Sequence, residues 1–219
     1  MSLTVIATPI GNPKEVSQSA LELIPQLDLL ICESRKETSR LLRGFEVRPK
    51  EYAELSEHSD KTDLKDLLER CRNENVGLVS DCGTPGFCDP GAHLVRACRD
   101  QKIPVRSLPG PSSLMAFLSI CGEDIQQFYF RGFLSQKTEI RKDEILQLKK
   151  DFKIPIVLMD TPYRLEKLLT ELSQNWSNAT LVLGSQLGFE DEFVLKGSAK
   201  EVLQKLPMKK AEFILLILP

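Results

Sequence analysis

The sequence has little of what most side-chain chemistry draws on. Its 219 residues hold only two histidines, His58 and His93, which leaves little scope for a His-based triad. Six cysteines stand at 32, 71, 82, 88, 98 and 121, none in a CxxC pair, so the two histidines and these thiols offer no zinc-ligand spacing and no metal site is expected. The cysteines are expected to be reduced, small core residues. His58 in a polar stretch and His93 at a helix start are expected as surface or capping residues. A GxSxG turn for acyl transfer, the HxE and CxxC of a zinc deaminase, and the GxGxxG and GxxxxGK[ST] phosphate loops are all missing. Charge of one sign is not in excess either: the net charge is -2 and the pI near 5.8, which excludes an overall basic field but not a local basic patch. The longest apolar run, Phe213 to Leu218, is far too short to span a bilayer, and the first residues show no basic segment followed by an apolar one. These absences point to a cytoplasmic protein with no membrane partner.

What the chain does have is proline and glycine at the ends of apolar runs. Val76 to Val79 reads as a buried strand and Ala92 to Cys98 as a helix, and the loop between them carries Gly83, Pro85, Gly86, Pro90 and Gly91. Proline fixes φ and glycine admits positive φ and close backbone approach, so this loop is stiff and suited either to holding a ligand at a sheet edge or to making a tight connection. Leu3 to Ala7 is a first strand stopped by Thr8-Pro9-Ile10-Gly11-Asn12-Pro13. Asp28 to Cys32 is a second, followed by Glu33-Ser34-Arg35-Lys36 and a helix closed at Gly44. Val105 to Leu108 is another, followed by Pro109-Gly110-Pro111-Ser112-Ser113. This repeated strand, loop and helix predicts an α/β domain over residues 1–112 with a mostly parallel sheet.

Residues 113–219 have a different rhythm. Strands at Gln127 to Phe133, Ile154 to Met159, Thr180 to Leu183, Glu192 to Lys196 and Glu212 to Leu218 include neighbours with no helix between them, which predicts a mixed α+β domain with some antiparallel pairing. A reaction that asks little of side chains suits such a chain. Methyl transfer from a sulfonium cofactor is of that kind, because the protein mainly supplies a shaped pocket, alignment and exclusion of water.

Ala7-Thr8-Pro9-Ile10-Gly11-Asn12, Val79 to Gly86 with Asp89-Pro90-Gly91, Leu108-Pro109-Gly110-Pro111-Ser112 and Gly132-Phe133-Leu134, in that order along the chain, resemble the signature stretches of the tetrapyrrole methylase (class III) superfamily, and within it the branch that includes the ribosomal RNA small subunit methyltransferases. The resemblance implies a homodimer of two-domain subunits with S-adenosylmethionine in a cleft between the domains, and an rRNA or small-ribosomal-subunit partner methylated on a ribose 2'-hydroxyl. It implies cofactor contacts at Pro9, at Asp81, Gly83, Thr84, Pro85, Gly86 and Phe87, at Ser112 and Ser113, and on the second domain at Phe133, Leu134, Asp160 and Gln186. Other readings of single residues stand beside it: Phe133 and Leu134 as core, Ser112 as a helix cap, Pro9 as a turn residue. For the chemical step it points to Glu33 as the acid, with Arg35, Lys36 and Arg164 orienting the acceptor or binding phosphate.

The departures fall mostly outside the glycine-proline loops. Where the rRNA branch has Glu-Asp-Thr-Arg, this chain has Glu33-Ser34-Arg35-Lys36; where it has Glu-Ser-Pro-His-Arg, Asp160-Thr161-Pro162-Tyr163-Arg164; where it has Arg-Glu-Leu-Thr-Lys, Ser185-Gln186-Leu187-Gly188-Phe189. The chain stops at Pro219, after what reads as the last strand of the second domain. Methyl transfer to another acceptor (a small molecule, a tetrapyrrole or a protein) and cofactor binding without catalysis are the alternatives these departures leave. Two basic stretches, Arg35 to Arg48 and Lys137-Arg141-Lys142, are candidate phosphate contacts, or else solvated helix faces.

Overall fold

A computed structural model describes residues 1–56, 59, 61–87 and 89–219, with the side chain of Lys61 left out. His58 and Cys88 lie outside the described residues. The chain divides into two compact units, Met1–Ser112 and Ser113–Pro219.

The first unit is built on β1 (Ser2–Ile6), β2 (Leu29–Cys32), β3 (Tyr52–Glu54), β4 (Asn75–Leu78) and β5 (Val105–Leu108), with α1 (Gln18–Leu23), α2 (Arg35–Arg43), α3 (Lys61–Asn73) and α4 (Gly91–Asp100) between them. The strands form one sheet in the order β3-β2-β4-β1-β5, every pair parallel. A sheet buried on both faces needs apolar residues at consecutive strand positions, and β2, Leu-Leu-Ile-Cys, is buried throughout. Leu29 and Ile31 pack with α3 and α4 through Leu67, Cys71, Leu94 and Cys98. Leu30 and Cys32 point the other way, to Ala20 and Ile24 of the α1 region and Leu42 of α2. The chain leaves β1 toward β2 and leaves β4 toward β5, on opposite sides, so the loops after β1 and β4 flank the point where strand order reverses. Ligand crevices of open α/β sheets form there.

β3 is absent from the sequence reading. It is three residues long, none of them fully buried, and is a strand only through its parallel pairing with β2. Cys82 departs from the expected core thiols: Cys32, Cys71, Cys98 and Cys121 are buried, but Cys82 is exposed because it sits in the loop after β4.

The second unit carries α5 (Ser113–Ile120), β6 (Tyr129–Gly132), α6 (Thr138–Lys150), β7 (Ile156–Asp160), α7 (Leu165–Asn175), β8 (Thr180–Ser185), β9 (Phe193–Ser198), α8 (Ala199–Lys205) and β10 (Phe213–Leu218). Its sheet runs β6-β7-β10-β8-β9, parallel between β6 and β7 and antiparallel elsewhere. The mixed pairing follows from the direct passage of β8 into β9, too short for a crossover helix. Its core gathers Leu165, Leu168, Leu169 and Leu172 of α7 over Leu158, Leu183 and Leu215. Among the described residues no helix is long and apolar enough to cross a membrane.

Candidate functional site

The carboxyl edge of the first sheet is where the proline-glycine loops meet, and polar contacts tie them together. The Thr8 N–H donates to the carbonyl of Gly83 at 2.9 Å, and the buried Thr8 hydroxyl lies 3.0 Å from the carbonyl of Ser80 and 3.2 Å from that of Gly83. The Thr84 hydroxyl donates to the carbonyl of Pro111 at 2.9 Å. The Ser34 N–H donates to Asp81 Oδ1 at 3.0 Å. A Cβ on Gly110 would stand 2.8 Å from the Ala7 Cβ, so the loops after β1 and β5 can approach this closely only over a glycine. Loops from four strands thus form one rigid surface.

Within the loop after β4, the organiser is Asp89. Its Oδ2 accepts the Gly86 N–H at 2.6 Å and the Phe87 N–H at 3.3 Å, while Oδ1 accepts the Gly91 N–H at 2.8 Å. The sequence offered the Asp-Pro-Gly triplet as its only sign of this role, an aspartate bonding backbone two residues on. Gly83 and Gly86 have φ of +79° and +88°, a region L-residues enter at a cost. A Cβ on Gly83 would meet Ile10 Cγ2 at 3.3 Å; one on Gly86 would meet nothing within 4 Å. Thr84 and Phe87 are exposed, whereas Pro9 and Pro85 are buried and can offer a ligand mainly the shape of the backbone they hold.

Glu33 stands at the end of β2, exposed, and shares a small recess with Ser80, Asp89 and Gly91. The Arg35 N–H donates to Glu54 Oε1 at 2.8 Å, and its guanidinium lies 5.4 Å from the centre of the Tyr52 ring, a cation–π distance that holds the arginine over β3. Lys36 is exposed beside it in the first turn of α2. Asp81 reaches solvent, yet desolvation by the neighbouring loops raises its carboxyl above the ordinary 3.8, the Ser34 N–H opposing and Glu37 and Glu54 adding to the rise. Ser112 ends the first unit and Ser113 begins α5, both half-buried.

In the second unit, Asp160 closes β7 and is buried. Its Oδ1 accepts the Thr161 N–H at 2.6 Å and Arg164 at 2.5 Å, while Oδ2 has no partner among the described residues. Burial raises this carboxyl above 3.8, with the Thr161 N–H and Arg164 pulling the other way. Arg164 also donates to the carbonyl of Ser135 at 3.2 Å, so its charge is engaged at the loop after β6. Phe133 in that loop is 39% exposed, and Leu134 is in the core. Gln186 has φ of 54° and accepts the Glu212 N–H at 3.0 Å.

One expected phosphate contact is corrected. Arg141 is 1% exposed and forms a two-pronged pair with Glu171, Nε to Oε2 at 2.6 Å and Nη2 to Oε1 at 2.7 Å. Its Nη1 donates to the carbonyls of Ser135 and Gln136. It clamps the loop after β6 from within; Lys137 and Lys142 remain exposed.

Comparison with known proteins agrees with this architecture. The sequence profile of the family described as Tetrapyrrole (Corrin/Porphyrin) Methylases matches residues 2–203. Ribosomal RNA small subunit methyltransferase I of Leptospira biflexa is 34% identical over 218 residues, covering 98% of this chain and 90% of the relative. The protein of that name from Vibrio cholerae is 31% identical over 98% of this chain and 76% of its own length. The structure of uroporphyrin-III C-methyl transferase from Thermus thermophilus, complexed with S-adenyl homocysteine, superposes with a TM-score of 0.65 at 14% identity, covering 99% of this chain and 97% of that one, a likeness of fold. The chain belongs to the tetrapyrrole (corrin/porphyrin) methylase family.

Proposed function

We propose that this chain methylates small-subunit ribosomal RNA with S-adenosylmethionine, at a ribose 2'-hydroxyl. The observation that carries the cofactor reading is Gly86: a left-handed glycine, fixed by Asp89, whose missing Cβ faces open space beside Thr84 and the loops bound to it. Such a surface, shaped by backbone and open at Gly86, fits a flat nucleoside with a short charged tail. Asp81, Gly83, Thr84, Pro85, Gly86 and Phe87 are assigned to its main wall, and Pro9 and Ser112 to adjoining contacts. Ser113, Phe133, Leu134, Asp160 and Gln186 are further proposed contacts. Of these Asp160 has the best support, because a buried carboxylate oxygen without a partner is costly unless something binds it.

S-adenosylmethionine supplies a methyl group already activated on a sulfonium, so no covalent intermediate with the protein is needed. The residues of this chain then have to align the acceptor, exclude water and take one proton. A ribose hydroxyl is a poor nucleophile, and Glu33, beside the Ser80–Gly91 loop, is the base assigned to it. Arg35, braced by Tyr52 and Glu54, and Lys36 are assigned to the acceptor's phosphates. Arg164 is held by Asp160 and Ser135, which suits a positioning role. The small ribosomal subunit as substrate places the reaction in the cytoplasm, and the family resemblance makes a homodimer the expected working form.

Calorimetry tests the cofactor half directly: saturable binding of S-adenosylmethionine is expected, and no heat at millimolar concentration overturns the reading. For the chemical step, Glu33→Gln should lower kcat by roughly 10²–10⁴-fold with cofactor affinity unchanged. Near-normal turnover in that variant removes Glu33 from the mechanism.

A further inference from the structure

Beyond the loop surface, the first unit carries a second feature that the cofactor does not explain: an open groove of about 510 Å³ between α4 and the edge strand β5. Helical periodicity makes it. Gly91, Leu94 and Cys98 are the buried face of α4, while Ala92, Val95, Arg96, Arg99 and Asp100 recur at spacings of three and four along the adjoining face and line the groove. The helix leaves the outer margin of the sheet uncovered, so Val5 and Val105 remain only partly buried. With Val95 they make an apolar floor.

The rim is basic. Arg96, Arg99 and Arg106 line it with Asp100 as the single acid, and all three arginines are exposed. Among the described residues none of the three is in an ion pair, which separates them from Arg70, Arg72, Arg131 and Arg141, each matched to a glutamate. Arginines kept unpaired around an apolar floor on a chain of net charge -2 are an anion surface, and three guanidiniums spread over a helix and a strand suit a chain of anions better than a single one. At one end the groove is lined by Thr84, Pro85 and Gly86, the same loop assigned to the cofactor.

We propose that this groove binds the sugar-phosphate backbone of the RNA acceptor, with Arg96, Arg99 and Arg106 on successive phosphates and Val5, Val95 and Val105 against sugar or base faces. It rests on the reading of the chain as an RNA methyltransferase. The strand would then run from the groove to the loop where the methyl group is presented, so the arginines set which nucleotide arrives there. Phosphate contacts of this kind position the substrate without reading its sequence.

The test uses the full-length Arg96→Gln/Arg99→Gln/Arg106→Gln protein, the corresponding triple lysine variant, and small ribosomal subunits from cells lacking the parent enzyme. The glutamine variant is expected to bind S-adenosylmethionine as the parent does and to keep its thermal midpoint, since the three side chains are exposed. Its KM for the subunits should rise at least about tenfold at roughly 0.15 M salt, and the slope of log affinity against log salt should fall by about two. The lysine variant should recover most of both, because phosphate accepts a point charge. Unchanged KM and salt slope in the glutamine variant overturn the proposal. Loss of subunit binding together with dissociation of a parent dimer in sedimentation also overturns it, making the groove a contact between copies. If the parent binds cofactor but transfers no label to RNA, the functional reading fails, and the groove proposal with it.

Discussion

Replacing Gly86 by valine is expected to abolish S-adenosylmethionine binding in a protein that still folds. Two effects must be weighed. The residue sits at φ +88°, so any L side chain costs about 1–2 kcal/mol in backbone strain, and Asp89, which bonds the Gly86 and Phe87 N–H groups, resists relaxation of the loop. A Cβ there meets no atom within 4 Å, so the first added carbon brings no overpacking. The stability loss is therefore small against the whole, whereas a branched side chain fills the space the nucleoside needs. Gly83→Val is a harsher version, since its Cβ already reaches Ile10 at 3.3 Å. Calorimetry should show at least about a hundredfold loss of affinity for Gly86→Val, an effect of roughly 3 kcal/mol, with a cooperative thermal transition retained. Unchanged affinity in both variants would return the loop to a purely structural turn.

The second large effect concerns stability. Removing Glu171 leaves the Arg141 guanidinium buried and unmatched, and Glu171→Leu is expected to cost about 3–5 kcal/mol in the second unit. Trp176, the single tryptophan, packs edge-on to Phe152 at 4.7 Å in that unit's core, so urea unfolding followed by its fluorescence reports on the right element. The double variant Arg141→Met/Glu171→Leu should recover part of the loss because no charge is left buried, though the carbonyls of Ser135 and Gln136 lose their donor. A double variant no more stable than Glu171→Leu would show that Arg141 matters for those carbonyls rather than for its charge pair. In either case the loop carrying Phe133 loosens, which links a core ion pair to a proposed contact surface.

Both features were legible to different degrees. Short runs stopped by proline and glycine, apolar throughout in β2 and apolar at both ends in β5, announce the parallel sheet. β3 does not: Tyr52–Glu54 is half polar, and only pairing with β2 makes it a strand. The loops after β1, β4 and β5 stand out through composition, yet only the Asp-Pro-Gly triplet hints at Asp89 as the organiser of the loop after β4, since its bonds depend on the turn it creates. Arg141 reads as one more surface cation between Lys137 and Lys142 in sequence, because its partner lies thirty residues away on α7. The groove beside α4 needed the sheet order, because only an uncovered edge strand turns Arg96, Arg99 and Arg106 into one rim. Local chemistry is written in the sequence; which charges are satisfied is decided by tertiary contact.

The most direct measurement is methyl transfer itself. Small ribosomal subunits from cells lacking the protein are incubated with it and S-adenosylmethionine radiolabelled on the methyl group, and the subunits are then separated into RNA and protein. Label in the RNA, stable to alkali in a dinucleotide because a methylated 2'-oxygen cannot attack the neighbouring phosphate, is the predicted result. Label in ribosomal protein, or in no fraction of subunits that the protein demonstrably binds, would contradict it.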